Sequence, residues 1–173
     1  MKTAREEAIK CAKRGWKVFP IWGFVNGQCE CLQDCDSPCK HPRYVKGELE
    51  HGLKDATGDE AKINSWFDRW PNTNYAIVTG AISGMFVIDI DPPDGETSFK
   101  KLETTHGALG ETLQVITPRG GRHLFFRHPG GIIKNSKDEL GKNIDVRGDG
   151  GYVVGPGSVG ISNNAYHLGE DVN

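Results

Sequence analysis

The chain has no window of 18 consecutive apolar residues, so no membrane-spanning helix is expected. Its first residues, Met1 to Glu7, have neither the apolar centre nor the small-residue cleavage site of a secretory leader. It also lacks an excess of one charge. Lys and Arg number 21 against 23 Asp and Glu, a net charge of −2, so any polyanion must be met by a local patch rather than by the whole molecule. There is no internal repeat and no low-complexity tract. What is present is ordinary: 173 residues, 36% hydrophobic and 25% charged, exclude disorder and collagen and fit one globular domain that buries about two-thirds of its unfolded surface. Gly (23) and Pro (9) are somewhat enriched, which predicts many tight turns between short strands. These features lead us to expect a cytoplasmic protein.

Thr3 with Glu6 makes a capping box, Ala4, Ala8, Cys11 and Ala12 recur at helical spacing, and Gly15 suits the stop, so the chain should open with a helix. Trp16 to Ile21 reads as a strand. From about Gly23 to Leu53 periodicity vanishes over a length that an ordinary connection does not reach, and four of the five cysteines lie there. A second helix is predicted by the capping box Thr57 and Glu60, by Ile63, Trp66, Phe67 and Trp70 at i, i+3, i+4, i+7, and by the stop at Pro71. Its tryptophans read as core rather than as a base-stacking platform. Tyr75 to Thr79 and Met85 to Asp91 read as two strands joined by a hairpin-length loop, Gly80 to Gly84. A modest helix near Glu96 to Glu103 follows. Leu113 to Thr117, Arg122 to Arg127, Ile144 to Arg147 and Tyr152 to Val154 then form short strands punctuated by glycine, which points to an antiparallel or mixed sheet.

Cys29, Cys31, Cys35, Cys39 and His41 put five metal-ligand candidates into thirteen residues. In a cytosolic chain disulfides are disfavoured, and three thiolates with an imidazole are a common structural zinc set that would organise this loop. Four ligands suffice, so one of the five is spare. Cys11, alone on an apolar helix face, reads as a small core residue.

Asp89 and Asp91 end the strongest predicted strand. Residues i and i+2 of a strand share a face, so the two carboxylates can converge on one metal or a metal pair; solvated strand-end aspartates are the plain alternative. The segments Thr117-Pro-Arg-Gly-Gly-Arg-His123 and Asp145-Val-Arg-Gly-Asp-Gly-Gly-Tyr152 add to the inventory. Gly120 and Gly121 could leave backbone N–H groups open to a phosphate, Arg119, Arg122 and His123 supply donors, and Asp145 offers a third carboxylate from another strand. Singly each is ordinary: a Gly-Gly turn, a core histidine, a cross-strand Asp145 and Arg147 pair. Together, three acids and a basic glycine-bearing turn are the inventory of phosphoryl or nucleotidyl transfer. Asp145, inside a predicted strand, suits the role of third acid better than Asp149, which lies between glycines in a turn.

The order Gly-Trp-Lys-Val-Phe-Pro, Cys-x-Cys-x3-Cys-x3-Cys-Lys-His-Pro-Arg, Lys-Asp-Ala-Thr, Asn-Tyr-Ala-Ile-Val-Thr-Gly, Ser-Gly-Met-Phe-Val-Ile-Asp-Ile-Asp, Thr-Pro-Arg-Gly-Gly-Arg-His and Asp-Val-Arg-Gly-Asp-Gly-Gly-Tyr-Val-Val resembles the bifunctional primase-polymerase domain of phage, plasmid and CRISPR-associated replication proteins. That family belongs to the archaeo-eukaryotic primase superfamily, and the resemblance runs from about Arg5 to His167. It implies an α+β domain, RRM-like, with a mainly antiparallel central sheet, flanking helices and an inserted zinc-binding stem at about 23–53. By the same resemblance Asp89, Asp91 and Asp145 would hold two Mg²⁺ or Mn²⁺ ions. His123, helped by Arg122 or Arg119, would meet the nucleotide's phosphates. Cys29, Cys31, Cys35 and His41 would hold Zn²⁺. Cys39 stands where the family more often has glycine, as the spare thiol or as a substitute for His41. Gly155-Pro-Gly-Ser158 departs from the more usual Pro-Pro-Ser.

The implied activity is template-directed synthesis of primers or DNA from nucleoside triphosphates. Its partners would be a single-stranded DNA template, a primer strand and the triphosphates, with a helicase domain or subunit if this is a piece of a longer chain, in a prokaryotic or phage-infected cell. Two rival readings remain at this point. One is a metal-dependent nuclease using the same acids. The other is a non-catalytic zinc-containing module that grips single-stranded DNA through Lys10, Lys13, Arg14, Lys17, Lys134, Lys137 and Lys142.

Overall fold

The structure is a computed structural model and describes residues 3–169. Helix α1 (Ala4–Lys13) opens on the expected capping box: the Thr3 hydroxyl accepts from the Glu6 N–H, and the Glu6 carboxylate accepts from the Thr3 N–H. Its buried side includes Ala8, Cys11 and Ala12. Burial pushes the Cys11 thiol up to about 11, as befits an inert core residue. Helix α2 (Glu60–Arg69) is capped differently from expectation. Asp59, not Thr57, accepts from the Ala61 and Lys62 N–H groups, while the Thr57 hydroxyl accepts from the Asp59 N–H. Thr57 stands two residues too early, and a carboxylate beside the first turn also meets the positive end of the helix dipole. Ile63, Trp66 and Phe67 are buried, as predicted.

The strands follow in chain order as β1 (Val18–Ile21), β2 (Phe24–Val25), β3 (Gln28–Cys29), β4 (Asn74–Val78), β5 (Met85–Ile90), β6 (Gln114–Ile116), β7 (Arg122–Arg127), β8 (Ser136–Lys137), β9 (Ile144–Arg147), β10 (Tyr152–Val154) and β11 (His167–Leu168). Helix α3 (Gly95–His106), longer at both ends than predicted, lies between β5 and β6. Two antiparallel sheets result, in the orders β1-β4-β10 and β11-β6-β7-β5-β9-β8, with a small β2-β3 ribbon beside them. The fold is therefore α+β with antiparallel sheets, as expected, but its strands are divided between two of them.

That division corrects the predicted hairpin. β4 and β5 belong to different sheets and meet only in the single bridge Gly80 to Met85. The cause is visible in the burial of β4: all five of its residues are buried, so the strand needs cover on both faces, which a hairpin with β5 would not supply. Helices α1 and α2 cover one face of the three-stranded sheet. The six-stranded sheet covers the other through a shared core that includes Phe19, Ile77, Val87, Val115 and Phe125. On the far side of the six-stranded sheet, α3 closes a second core of Ile90, Phe99, Leu124 and Ile144.

Candidate active site

β5 is the central strand of the site. Its even positions, Ile88 and Ile90, join the core under α3, and its odd positions face the other sheet. Along the odd face Met85 and Val87 are buried in the inter-sheet core, and then the sequence changes to Asp89 and Asp91 where the two sheets part. Antiparallel register puts His123 of β7 on one side of Asp89 and Asp145 of β9 on the other, so the three side chains form one row across adjacent strands. Asp89 and His123 open into two adjoining hollows of about 340 and 390 Å³, both also lined by Asp91, Lys40, Ser37 and Tyr166; Asp145 lines neither, and its neighbour Arg147 lines the second.

The electrostatics of the row are unusual for a plain surface. Burial, then the neighbouring Asp91, pushes the Asp89 carboxyl up to about 6. Its Oδ1 is buried without a hydrogen-bond partner. Burial also holds the His123 imidazole down to about 3, hence neutral; Nε2 lies 3.5 Å from Asp89 Oδ1, and the buried Nδ1 has no partner. A core histidine bonded to a nearby carbonyl would not leave that nitrogen orphaned. Arg147 bridges two acids, 2.8 Å from Asp145 and 3.5 Å from Asp89, and Arg119 lies 3.1 Å from Asp91. An unpartnered buried carboxylate oxygen among clustered acids is a donor set that a hard divalent cation could use, with Arg119 and Arg147 occupying part of it.

Not every predicted residue comes to this cleft. Arg122 follows the alternation of β7 to the opposite face, where it is paired bidentately with Glu96 at 2.7 and 2.9 Å and lies over the Phe99 ring. The Gly120 and Gly121 amides donate to Thr117 within their own turn, to its carbonyl and its hydroxyl, so neither is open to a phosphate. Gly121 is needed for another reason: a Cβ there would stand 2.4 Å from the Ile90 carbonyl oxygen, so only glycine lets the turn close against β5. Asp149 is occupied elsewhere. Its carboxylate accepts from the Ala81 and Ile133 N–H groups at 2.9 and 2.8 Å, bonds that hold its carboxyl below the usual range, and it sits 3.3 Å from His128. It pins the Gly80 crossover between the sheets.

The loop without periodicity folds around a second cluster. The ligand atoms of Cys29, Cys31, Cys35 and His41 all lie within 4.8 Å of one another. Cys29 to His41 and Cys31 to Cys35 are each 3.7 Å apart, close to the tetrahedral edge of about 3.8 Å that zinc–sulfur bonds imply. The cluster can hold a zinc ion. Burial raises the Cys29 thiol, but the backbone N–H groups of Cys31 and Cys39 and the thiols of Cys31 and Cys35 together outweigh it and hold Cys29 below its usual range, which favours the thiolate a metal needs. Cys39 is the spare thiol. Its side chain donates to the Gly23 carbonyl at 3.3 Å, and its φ of +61° is the left-handed conformation in which glycine would be at ease. Sequence reasoning passed over Lys40, Ser37 and Tyr166 at the cleft. Lys40 had only its place beside His41 to mark it, and the other two had no signal.

The chain matches the family model for the N-terminal domain of bifunctional DNA primase/polymerases over residues 8–172. No match was found among curated proteins. The family match spans both sheets, the Cys₃His cluster and the acidic cleft between them, and on it the chain belongs to the family of bifunctional DNA primase/polymerase N-terminal domains.

Proposed function

We propose that this domain performs template-directed nucleotidyl transfer, joining nucleoside triphosphates to a DNA primer on a single-stranded template by a two-metal mechanism. The observation that carries the reading is the cleft faced by Asp89, Asp91 and His123, with Asp145 in register beside Asp89 on the next strand. Mg²⁺ or Mn²⁺ held by Asp89, Asp91 and Asp145 would supply activation of the primer 3'-hydroxyl and charge neutralisation at the triphosphate. In the reaction the 3'-hydroxyl gives its proton to solvent, its oxygen bonds to the α-phosphorus, the α–β bridge breaks, and pyrophosphate leaves. Arg119 and Arg147 are the cations that can turn to phosphate oxygens once the acids are engaged. In the same reading the six-stranded sheet is the RRM-like platform of the family. The direct test is incubation with template, primer, labelled triphosphates and Mg²⁺ or Mn²⁺. Elongated product supports the reading, and shortening of the primer alone would favour a nuclease. A pure single-strand grip through lysines has less behind it, because Lys10, Lys13 and Lys142 are paired with Glu7, Glu60 and Asp94.

His123 is assigned to the triphosphate. As a neutral imidazole it can donate one hydrogen bond to a phosphate oxygen, worth roughly 1.5 to 3 kcal/mol, so His123→Ala should weaken nucleotide affinity about 10- to 150-fold. Template affinity should hardly change. Titration of nucleotide against folded mutant, beside its thermal unfolding, checks this; unchanged affinity with a lowered melting temperature would make His123 a packing residue.

Asp145 and Asp149 separate in the same way. Asp145→Asn should remove synthesis while leaving the melting temperature near wild type. Asp149→Asn, which disturbs the anchor of the Gly80 crossover, should lower the melting temperature by a few degrees and leave residual synthesis in the folded fraction. Extension assays and thermal melts on both variants decide it, and equal loss of synthesis in both would remove the distinction.

A further inference from the structure

The zinc stem does more than fold: it sends one side chain into the cleft. The backbone from Cys39 to His41 is tied at five points: to Cys29 and Ser37 of the stem, to Trp22 at its base, and to Asn74 and Tyr152 of the three-stranded sheet. The Cys39 N–H donates to Cys29 Sγ at 3.2 Å, and Asn74 Nδ2 donates to the Cys39 carbonyl at 3.3 Å. The Lys40 N–H donates to the Ser37 carbonyl at 3.1 Å, the Tyr152 hydroxyl donates to the Lys40 carbonyl at 3.3 Å, and the Trp22 N–H donates to the His41 carbonyl at 3.1 Å. His41 itself belongs to the Cys₃His cluster. With its backbone held this way, Lys40 has only its side chain free, and that side chain lines both hollows where they meet over Asp89, Asp91 and His123. Among the described residues no carboxylate lies within ion-pair distance of its ammonium, although its charge is felt at both Asp89 and His123.

An uncommitted cation in that position has an anion to wait for. The triphosphate and the three carboxylates together bring more negative charge than two divalent ions return, and Arg119 and Arg147 already pair with the acids. We propose that Lys40, delivered by the zinc stem, is a triphosphate-binding residue of the incoming nucleotide, acting from the lining it shares with Asp89, Asp91 and His123. The inference rests on the nucleotidyl-transfer reading above. It also explains the stem's place in the fold, since a flexible loop would make the lysine lose more entropy on binding than a tethered one.

The experiment is equilibrium binding of a labelled nucleoside triphosphate to the full chain in Mn²⁺ without template, for wild type, Lys40→Gln and Lys40→Arg. Lys40 is exposed, so the variants should keep wild-type zinc content and melting temperature. Lys40→Gln should raise the triphosphate Kd about tenfold, Lys40→Arg should restore most of it, and affinity for single-stranded DNA should stay within about twofold. Unchanged triphosphate affinity in Lys40→Gln, an equal loss of DNA affinity, or a loss that arginine does not restore would overturn the assignment. If wild type itself binds no triphosphate, the nucleotidyl-transfer reading falls and Lys40 with it; if wild type binds and Lys40→Gln binds equally, Lys40 alone is wrong.

Discussion

Asp89→Asn and Asp91→Asn are each expected to abolish primer extension while the protein melts at or above the wild-type temperature. The amide is isosteric with the carboxylate, so no cavity opens, but it removes the negative charge by which the cleft would hold its cations. Metal charge stabilisation contributes several kcal/mol to such a transition state, and about 4 kcal/mol is already a thousandfold in rate. The stability half of the expectation follows from the crowding of acids. The Asp89 carboxyl is pushed from 3.8 up to about 6, first by burial and then by Asp91, so between those values the folded chain binds a proton that the unfolded chain has lost. Metal-free protein should therefore lose stability as the pH rises through that window and carry the full penalty above it. Asp89→Asn removes the penalty, and its melting temperature in chelator should be flat across the same window. Extension assays and melts at pH 4 to 7 check both halves. Near wild-type extension by Asp91→Asn would end the metal assignment, and an unchanged wild-type slope in Asp89→Asn would put the pH dependence elsewhere.

The parts of this site that could be read from the sequence are those where a local pattern has a single structural meaning. Arg122 to Arg127, Ile144 to Arg147 and Tyr152 to Val154 are strands with the predicted ends, four of the six ends set by an adjacent glycine: Gly121, Gly148, Gly151 and Gly155. Asp89 and Asp91 share a face because a strand has period two. The same rule, applied to Arg122 and His123, was enough to foresee that both could not face one cleft, and the structure turns Arg122 to Glu96. Pairing was less legible. Nothing local says that β4 finds β1 and β10 rather than β5, because that choice is made by burial on both faces of β4 and by Asp149 holding the crossover from sixty-odd residues away. Spacing offers five metal-ligand candidates and the family resemblance implies which four, whereas neither marks Lys40, since its role depends on how the stem docks and the stem has no periodicity to read.

Docking of that stem depends on Arg43, and Arg43→Ala should produce a large loss of stability. The Arg43 side chain is 4% exposed, in an ion pair with Glu30. Its guanidinium lies between two indoles, 4.1 Å from the Trp22 ring centre and 4.8 Å from that of Trp70, and its Nε donates to the Thr73 hydroxyl at 3.4 Å. Trp22 and Glu30 belong to the base of the stem, and Trp70 and Thr73 to the body, so one buried side chain fastens the two together. Truncation would leave the Glu30 carboxylate with only the Gly23 N–H and empty the slot between the rings. Breaking a buried pair costs about 3 kcal/mol or more, and in a domain of this size each kcal/mol moves the melting temperature by about 2 to 4 °C, so a drop of about 6 to 12 °C is expected. Lysine should not rescue it. A compact ammonium cannot stack on two indoles while donating sideways to both Glu30 and Thr73, so Arg43→Lys should recover less than half of the loss. Thermal unfolding of the zinc-loaded proteins measures both variants. A drop under about 2 °C for Arg43→Ala would show that the cluster and the β2-β3 ribbon hold the stem without the guanidinium.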